Sequence, residues 1–91
     1  MSGHAVDRAR HLLAAGRNEE ALEELARALA DDPGDASAHA LRGLALIDLG
    51  RLDHALEAAD RAVGADPEST LGFEVRAWVL LRMERPKPAL V

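Results

Sequence analysis

The side chains of this chain that could bind a metal ion or transfer a proton include four histidines. They are His4, His11, His39 and His54, and the chain contains no cysteine. His4 and His11 are seven residues apart, which would place them on one face of a helix, but no third ligand follows at a matching spacing. The histidines therefore do not predict a metal site.

Three carboxylates lie close together in the acidic segment Asp31-Asp32-Pro33-Gly34-Asp35. It lacks the alternating ligands and the distal glutamate of a calcium-binding loop, so it is better interpreted as a turn with helix caps. No serine lies in a nucleophile elbow, and no glycine-rich phosphate-binding loop occurs. The sequence predicts no enzyme, no metal and no cofactor.

The charge of the chain narrows the class of partner. Eleven Lys and Arg against sixteen Asp and Glu give a formal charge of −5. This balance argues against nucleic acid or an anionic membrane as the main partner. The chain has neither an apolar run of about 18 residues nor a secretory signal pattern at its start. These features favour a soluble protein, compatible with the cytoplasm.

Apolar and small residues recur at spacings of three and four, which predicts five amphipathic helices. The first extends from His4 to Ala15 and ends at Gly16, which adopts the left-handed conformation easily. Asn18 is the predicted N-cap of the second helix, and Asp35 or Ser37 that of the third.

The third and fifth predicted helices carry the more informative residues. Gly43 lies in the middle of the third helix, where it costs roughly 1 kcal/mol relative to alanine, so we expect a close approach by a neighbouring helix. The fifth helix extends from about Glu68 to Met83. Its predicted inner face consists of Phe73, Ala77, Leu80 and Leu81.

The chain repeats itself with a period of 34 residues. Residues 16–33 and 50–67 are identical at 9 of 18 positions. A 34-residue unit of two helices with small residues at fixed positions and a closing proline resembles the tetratricopeptide repeat. The resemblance implies one all-α domain, a right-handed solenoid of antiparallel helix pairs, with repeats at 2–35 and 36–69 and a partial repeat at 70–91.

Particular residues carry this resemblance. In the second helix of each unit the small pairs are Ala21 with Ala28 and Ala55 with Ala62, and Phe73 followed by Ala77 fits the first helix of the third unit. Pro33 and Pro67 close the first two units. The large aromatic residue of the family is replaced by Ala5 and His39 in those units, which predicts a thinner core there.

In this family the first helix of each pair lines a concave surface that holds a peptide or a partner helix, so the resemblance implies a protein-interaction module, an adaptor or scaffold. The corresponding residues are Val6, Arg10, Leu13, Ala14, Ala40, Leu44, Ile47, Asp48, Glu74, Trp78, Leu81 and Arg82. The predicted binding set drawn from them is Val6, Arg10, Leu44, Asp48, Glu74, Trp78 and Arg82.

Trp78 has two interpretations. It is either a rigid anchor for a partner or a core residue that packs on a sixth helix. The repeat breaks off after Leu90, which motivates two further hypotheses. One is self-association through an open C-terminal face of Val75, Trp78, Val79 and Leu90. The other is that the chain is a piece of a larger repeat protein.

Two charge patterns bear on the choice of ligand. Arg8, Arg42 and Arg76 recur at 34-residue spacing, and we expect each to pair with an acidic residue of an adjoining helix rather than with a ligand. Family members that hold the acidic tail of heat-shock chaperones use a clamp of Lys, Asn, Asn, Lys and Arg. The corresponding positions here are Val6, Arg10, Leu41, Leu71 and Val75, so the resemblance predicts that this clamp is absent.

Overall fold

The computed structural model describes residues 2–84, and this part of the chain consists of five α-helices without a strand. The helices are α1 (Ser2–Ala14), α2 (Asn18–Asp31), α3 (Ala36–Asp48), α4 (Leu52–Ala65) and α5 (Thr70–Glu84). Each helix packs against the next, and the connections are short, as in antiparallel helix pairs. The predicted all-α solenoid is confirmed.

The ends of α1 and α3 are built alike. Gly16 and Gly50 follow them with φ angles of 77° and 78°, a left-handed conformation that disfavours residues with a Cβ atom. The next amide in each turn reaches back across the helix end, from Arg17 to the Leu12 carbonyl at 2.8 Å and from Arg51 to the Leu46 carbonyl at 2.9 Å. These bonds form the Schellman arrangement, so the predicted helix end at Gly16 is confirmed.

The starts of α2 and α3 differ from each other. Asp35 caps α3, because its Oδ1 accepts a hydrogen bond from the Ala38 amide at 3.1 Å, and this prediction is confirmed. The prediction that Asn18 caps α2 is wrong. Arg17 occupies the N-cap position without a side-chain hydrogen bond, and Asn18 is already helical. The reason is the tightness of the preceding turn, which uses Gly16 and Arg17 and leaves no residue between the turn and the helix.

Helix α3 is the centre of the fold, since it packs against all four other helices. Its buried residues therefore surround the helix axis: Ala38, His39, Ala40, Leu41, Gly43, Ala45, Leu46 and Ile47. His39 replaces a large aromatic residue, and its Nε2 lies 2.8 Å from the Pro33 carbonyl oxygen. With Nε2 as the donor, this bond ties the start of α3 to the preceding turn.

The predicted close approach at Gly43 is confirmed. A Cβ atom at this position would lie 2.7 Å from Cγ1 of Val75 in α5 and 3.5 Å from the Ala55 carbonyl oxygen in α4. The first distance is shorter than any normal contact between carbon atoms. Three helices thus meet where the central one has no side chain.

The predicted inner face of α5 is wrong. Phe73 is 49% exposed and Leu81 65% exposed, and Ala77 is exposed too. The buried residues of α5 are instead Gly72, Val75 and Val79. The repeat pattern predicts the face that contacts the second helix of the same unit. In the described part of the chain, α5 instead packs against α3 and α4, so a different face is buried.

We expect Gly43→Ala to lower the free energy of unfolding by about 1–3 kcal/mol, although alanine is the better helix former. The added Cβ would collide with Val75, which is fully buried and β-branched and has no alternative rotamer at low cost. Urea denaturation followed by circular dichroism measures the effect.

The matched control is Gly64→Ala in α4, where a Cβ atom would meet no atom of the described residues within 4 Å. This variant should gain about 0.5–1 kcal/mol, because only the helix propensity changes. Equal effects of the two substitutions would contradict the close approach at Gly43.

Candidate functional site

A groove in the described part of the chain lies between α3 and α5. Its cavity volume is about 630 Å³, and its lining residues are Leu44, Ile47, Asp48, Trp78, Leu81 and Arg82. All six belong to the concave set that the sequence predicts. Their role in binding is a prediction that the structure alone does not test.

The 34-residue period explains how these side chains come together. The lining consists of three equivalent pairs, Leu44 with Trp78, Ile47 with Leu81, and Asp48 with Arg82. Because α3 and α5 occupy equivalent places in consecutive repeats, equivalent residues lie side by side along the groove. The two walls share a backbone geometry and differ in their side chains.

The groove is apolar along most of its length and charged at one end. Ile47 is buried, Leu44 is half-buried, and the Trp78 indole is 46% exposed. Asp48 and Arg82 stand near the C-terminal ends of their helices and are both exposed. Neither forms an ion pair with any residue from 2 to 84.

Three residues of the predicted binding set do not line the groove. Val6 is 7% exposed and belongs to the core between α1, α2 and α3. Arg10 on α1 and Glu74 on α5 are exposed but lie outside the groove lining. Conversely, Ile47 and Leu81 contribute to the lining although they were not in the shorter predicted binding set.

The predicted open C-terminal face of Val75, Trp78, Val79 and Leu90 needs correction. Val75 and Val79 are 0% exposed and pack in the core with the alanines of α4, so neither offers surface to another chain. Trp78 lines the groove instead. Leu90 lies outside the described residues.

Two of the three equally spaced arginines pair within the fold, as predicted. Arg8 donates from Nε to Glu24 Oε2 at 3.0 Å, and Arg76 donates from Nε to Asp60 Oδ1 at 2.7 Å. Both partners are sixteen residues away in sequence.

The third arginine differs. Arg42 makes no ion pair with any other described residue, because the positions sixteen residues away on each side are Ala26 and Ala58. The predicted pairing is therefore wrong for Arg42. It lines a second, smaller cavity of about 420 Å³ beside Arg51 and His54.

Among residues 2–84, no three His, Asp or Glu side chains are grouped so that they could hold a metal ion. In the same range, no helix combines the length and the apolar character needed to cross a membrane. The titratable side chains that line the groove are Asp48 and Arg82.

The hydrogen bond from Arg8 holds the pKa of Glu24 below its ordinary value, with Coulomb attraction to Arg8 and Arg27 acting in the same direction. We expect Arg8→Gln to raise this pKa. A carboxyl pKa that is depressed in the folded state stabilises the fold above the unfolded pKa, and this contribution is lost as the pH falls through the folded pKa. The stabilities of the parent and Arg8→Gln should therefore converge in acid.

A ¹³C NMR titration of the Glu24 carboxyl group, together with urea denaturation between neutral and acid pH, measures both effects. The control is Arg10→Gln, because Arg10 lies on the same helix but does not contact Glu24. An unchanged Glu24 titration in Arg8→Gln would show that the hydrogen bond is not its cause.

Comparison with known proteins agrees with this architecture. The family model of the tetratricopeptide repeat matches residues 6–70. No significant match is found among curated proteins. Among solved structures, the Sgt2 TPR domain from Aspergillus fumigatus superposes with a TM-score of 0.87 at 23% identity and covers 100% of this chain. This chain spans 66% of that structure's length.

A second solved structure is the second TPR of Spaghetti (RPAP3) bound to the HSP90 peptide SRMEEVD. It superposes with a TM-score of 0.84 at 22% identity, covering 90% of this chain and 76% of that one. At such identities the likeness concerns the fold. The family model, which matches more than half of the chain, carries the assignment of the repeat type.

Proposed function

Because the chain belongs to the tetratricopeptide repeat family, we propose that it is a protein-interaction module whose groove between α3 and α5 binds a peptide or a partner helix. The units of the proposed module are 2–35 and 36–69, followed by a partial unit at 70–91. The observation that supports the proposal is the groove itself, where two equivalent pairs of residues make an apolar wall and the third pair, Asp48 and Arg82, supplies two charges.

The size and lining of the groove suit a side chain of a partner protein. Its volume of about 630 Å³ lies within the roughly 300–1,000 Å³ range of ligand sites. A half-exposed indole is a rigid surface with few rotamers to lose, which is why tryptophans often dominate binding energy. We therefore assign the role of anchor to Trp78, with an apolar side chain of the partner lying against it and Leu44.

The charged end of the groove determines which charged residues of the partner can flank its apolar side chain. Asp48 would favour a basic group in the partner, and Arg82 an acidic one, so a peptide with both charges beside an apolar residue fits best. The groove offers no nucleophile with an adjacent base, and the proposed activity is binding rather than catalysis.

We expect Trp78→Ala to weaken binding of such a peptide by about 30-fold or more, the usual effect of removing a central aromatic anchor. Peptides would be selected from a random display library on the 91-residue chain, and their affinity measured by calorimetry. Trp78 is the only tryptophan, so its fluorescence reports binding to the parent chain directly.

The matched control is Phe73→Ala, because Phe73 is an exposed aromatic residue of the same helix that does not line the groove. It should change the affinity by less than about threefold. Selected peptides that bind the Trp78→Ala variant as tightly as the parent would place the binding surface elsewhere.

The chaperone peptide SRMEEVD, which is seen on the RPAP3 structure, should not bind this chain. At the positions where related proteins place the carboxylate clamp, this chain has buried apolar residues at Val6, Leu41 and Val75. Of the five clamp positions, only Arg10 can donate to a carboxylate, and the net charge of −5 opposes an acidic ligand.

Calorimetry with SRMEEVD tests this expectation at the low salt that favours electrostatic binding. A dissociation constant below about 100 μM, corresponding to more than about 5 kcal/mol of binding free energy, would show that other residues replace the clamp.

A further inference from the structure

Helix α5 carries all the large hydrophobic side chains that are exposed in the described part of the chain. These are Phe73 (49%), Trp78 (46%), Leu81 (65%) and Met83 (41%). Trp78 lines the groove, but Phe73 does not. On the helix, Phe73 shares a face with Ala77, Leu80 and Leu81, and this face points away from the buried Gly72, Val75 and Val79. We refer to Phe73, Ala77, Leu80 and Leu81 as the α5 face.

Comparison with the preceding repeats shows that no described helix covers the α5 face. The residues 34 positions before Phe73, Ala77 and Leu80 are His39, Gly43 and Leu46, and all three are buried. They lie on α3, which packs closely against α4. No helix among residues 2–84 occupies the corresponding position on α5.

We propose that the α5 face binds the same face of a second copy of this chain. In the proposed dimer, the two α5 helices cross in antiparallel directions about a two-fold axis at Ala77. The α5 face and the groove share only Leu81, since Phe73, Ala77 and Leu80 do not line the groove.

The order of side chains on the α5 face makes it complementary to itself. Phe73 and Leu81 lie four residues before and after Ala77. With a two-fold axis at Ala77, Phe73 of each copy opposes Leu81 of the other, and the two Ala77 residues oppose each other. A small residue at the crossing point lets the axes of two helices approach to about 8 Å. The helices diverge on either side of this point, and the large residues there fill the space between them.

The charges on α5 favour the antiparallel direction. In this register Glu74 opposes Leu80 of the second copy, and Glu84 opposes Thr70, so no carboxylate meets another. In a parallel pair, each of these carboxylates would lie near the same carboxylate of the second chain, and the two like charges would repel each other. The net charge of −5 on each chain opposes association, but salt screens it beyond about 8–10 Å.

Other occupants of the α5 face fit less well. A head-to-tail arrangement would bring the α5 face to the outer side of α1. The α1 residues there, His4, Asp7 and His11, are polar and exposed.

The proposed interface is small, since it consists of one pair of helices. Standard interfaces bury at least about 1,200 Å², and we expect this one to bury less. The dimer should therefore form with a micromolar to millimolar dissociation constant. Its formation therefore depends on the concentration of the chain.

Sedimentation velocity of the 91-residue chain, from about 10 μM to about 1 mM, tests the proposal. The mean mass should rise from monomer toward dimer. Ala77→Glu should weaken the dimer at least tenfold, because it places two carboxylates on the two-fold axis. The control Ala26→Glu changes an exposed alanine of α2 and should leave the dimer intact. Circular dichroism verifies that both variants are folded.

A disulfide reports the geometry of the pair. The chain has no cysteine, so Ala77→Cys introduces a single thiol. Two such thiols at the axis can bond, because opposed residues at a close helix crossing fall within the about 4.4–6.8 Å Cα separation that a disulfide needs. Mild oxidation should give a covalent dimer with Ala77→Cys and much less with the control Ala26→Cys.

Three results would overturn the proposal. One is a monomer throughout the concentration range. If, in addition, Ala77→Glu lowers the Tm of this monomer, the α5 face is covered by the chain's own residues. Another is a dimer that Ala77→Glu does not weaken. The last is crosslinking of Ala77→Cys that is no faster than that of Ala26→Cys, which would exclude an axis at Ala77.

Discussion

The contact between Val75 and the bare backbone at Gly43 determines the arrangement of the C-terminal half of the fold. Val75 Cγ1 occupies the space in which a side chain at position 43 would lie, and the Ala55 carbonyl closes the same space from α4. A β-branched side chain in such a site fixes both the distance of α5 from α3 and its rotation. The surface of α5 follows from that rotation. With Val75 and Val79 turned inward, Trp78 reaches the groove and Phe73 turns to the outside.

Small residues continue this contact along α4. Ala55, Ala58, Ala59 and Ala62 are fully buried against α3 and α5, and at Gly72 an added Cβ would approach the Ala62 Cβ to 3.3 Å. Helices that meet through alanine and glycine pack closely but bury little apolar area per residue. The largest fully buried side chains are Leu25, Val75 and Val79. A core of this kind leaves a small margin of stability, so an uncovered apolar helix face matters more here than in a larger domain.

The sequence predicted features that are local or that depend on a helix present in the described part of the chain. The glycine turn at Gly16, the cap at Asp35 and the close approach at Gly43 are of this type. Asn18 and the inner face of α5 were not predicted correctly. Asn18 is a good cap by type, but the turn before it is too tight to leave the cap position free. Phe73 and Val75 lie on two different faces of α5, and the 34-residue period indicates packing for both. Only the structure shows that the described chain covers the face of Val75.

Repeat positions at which the residue type varies are associated with binding. Positions at which the residue stays small are associated with packing. One repeat position holds Arg10, Leu44 and Trp78 in the three units, three different chemistries on equivalent backbone, and the last two of these residues line the groove. One residue earlier, the chain has Ala9, Gly43 and Ala77, which are all small. Ala9 and Gly43 are buried where α2 and α4 approach, and their size is explained by that approach. Ala77 has the same size but is exposed, which is the pattern expected of a helix surface shaped for a close partner.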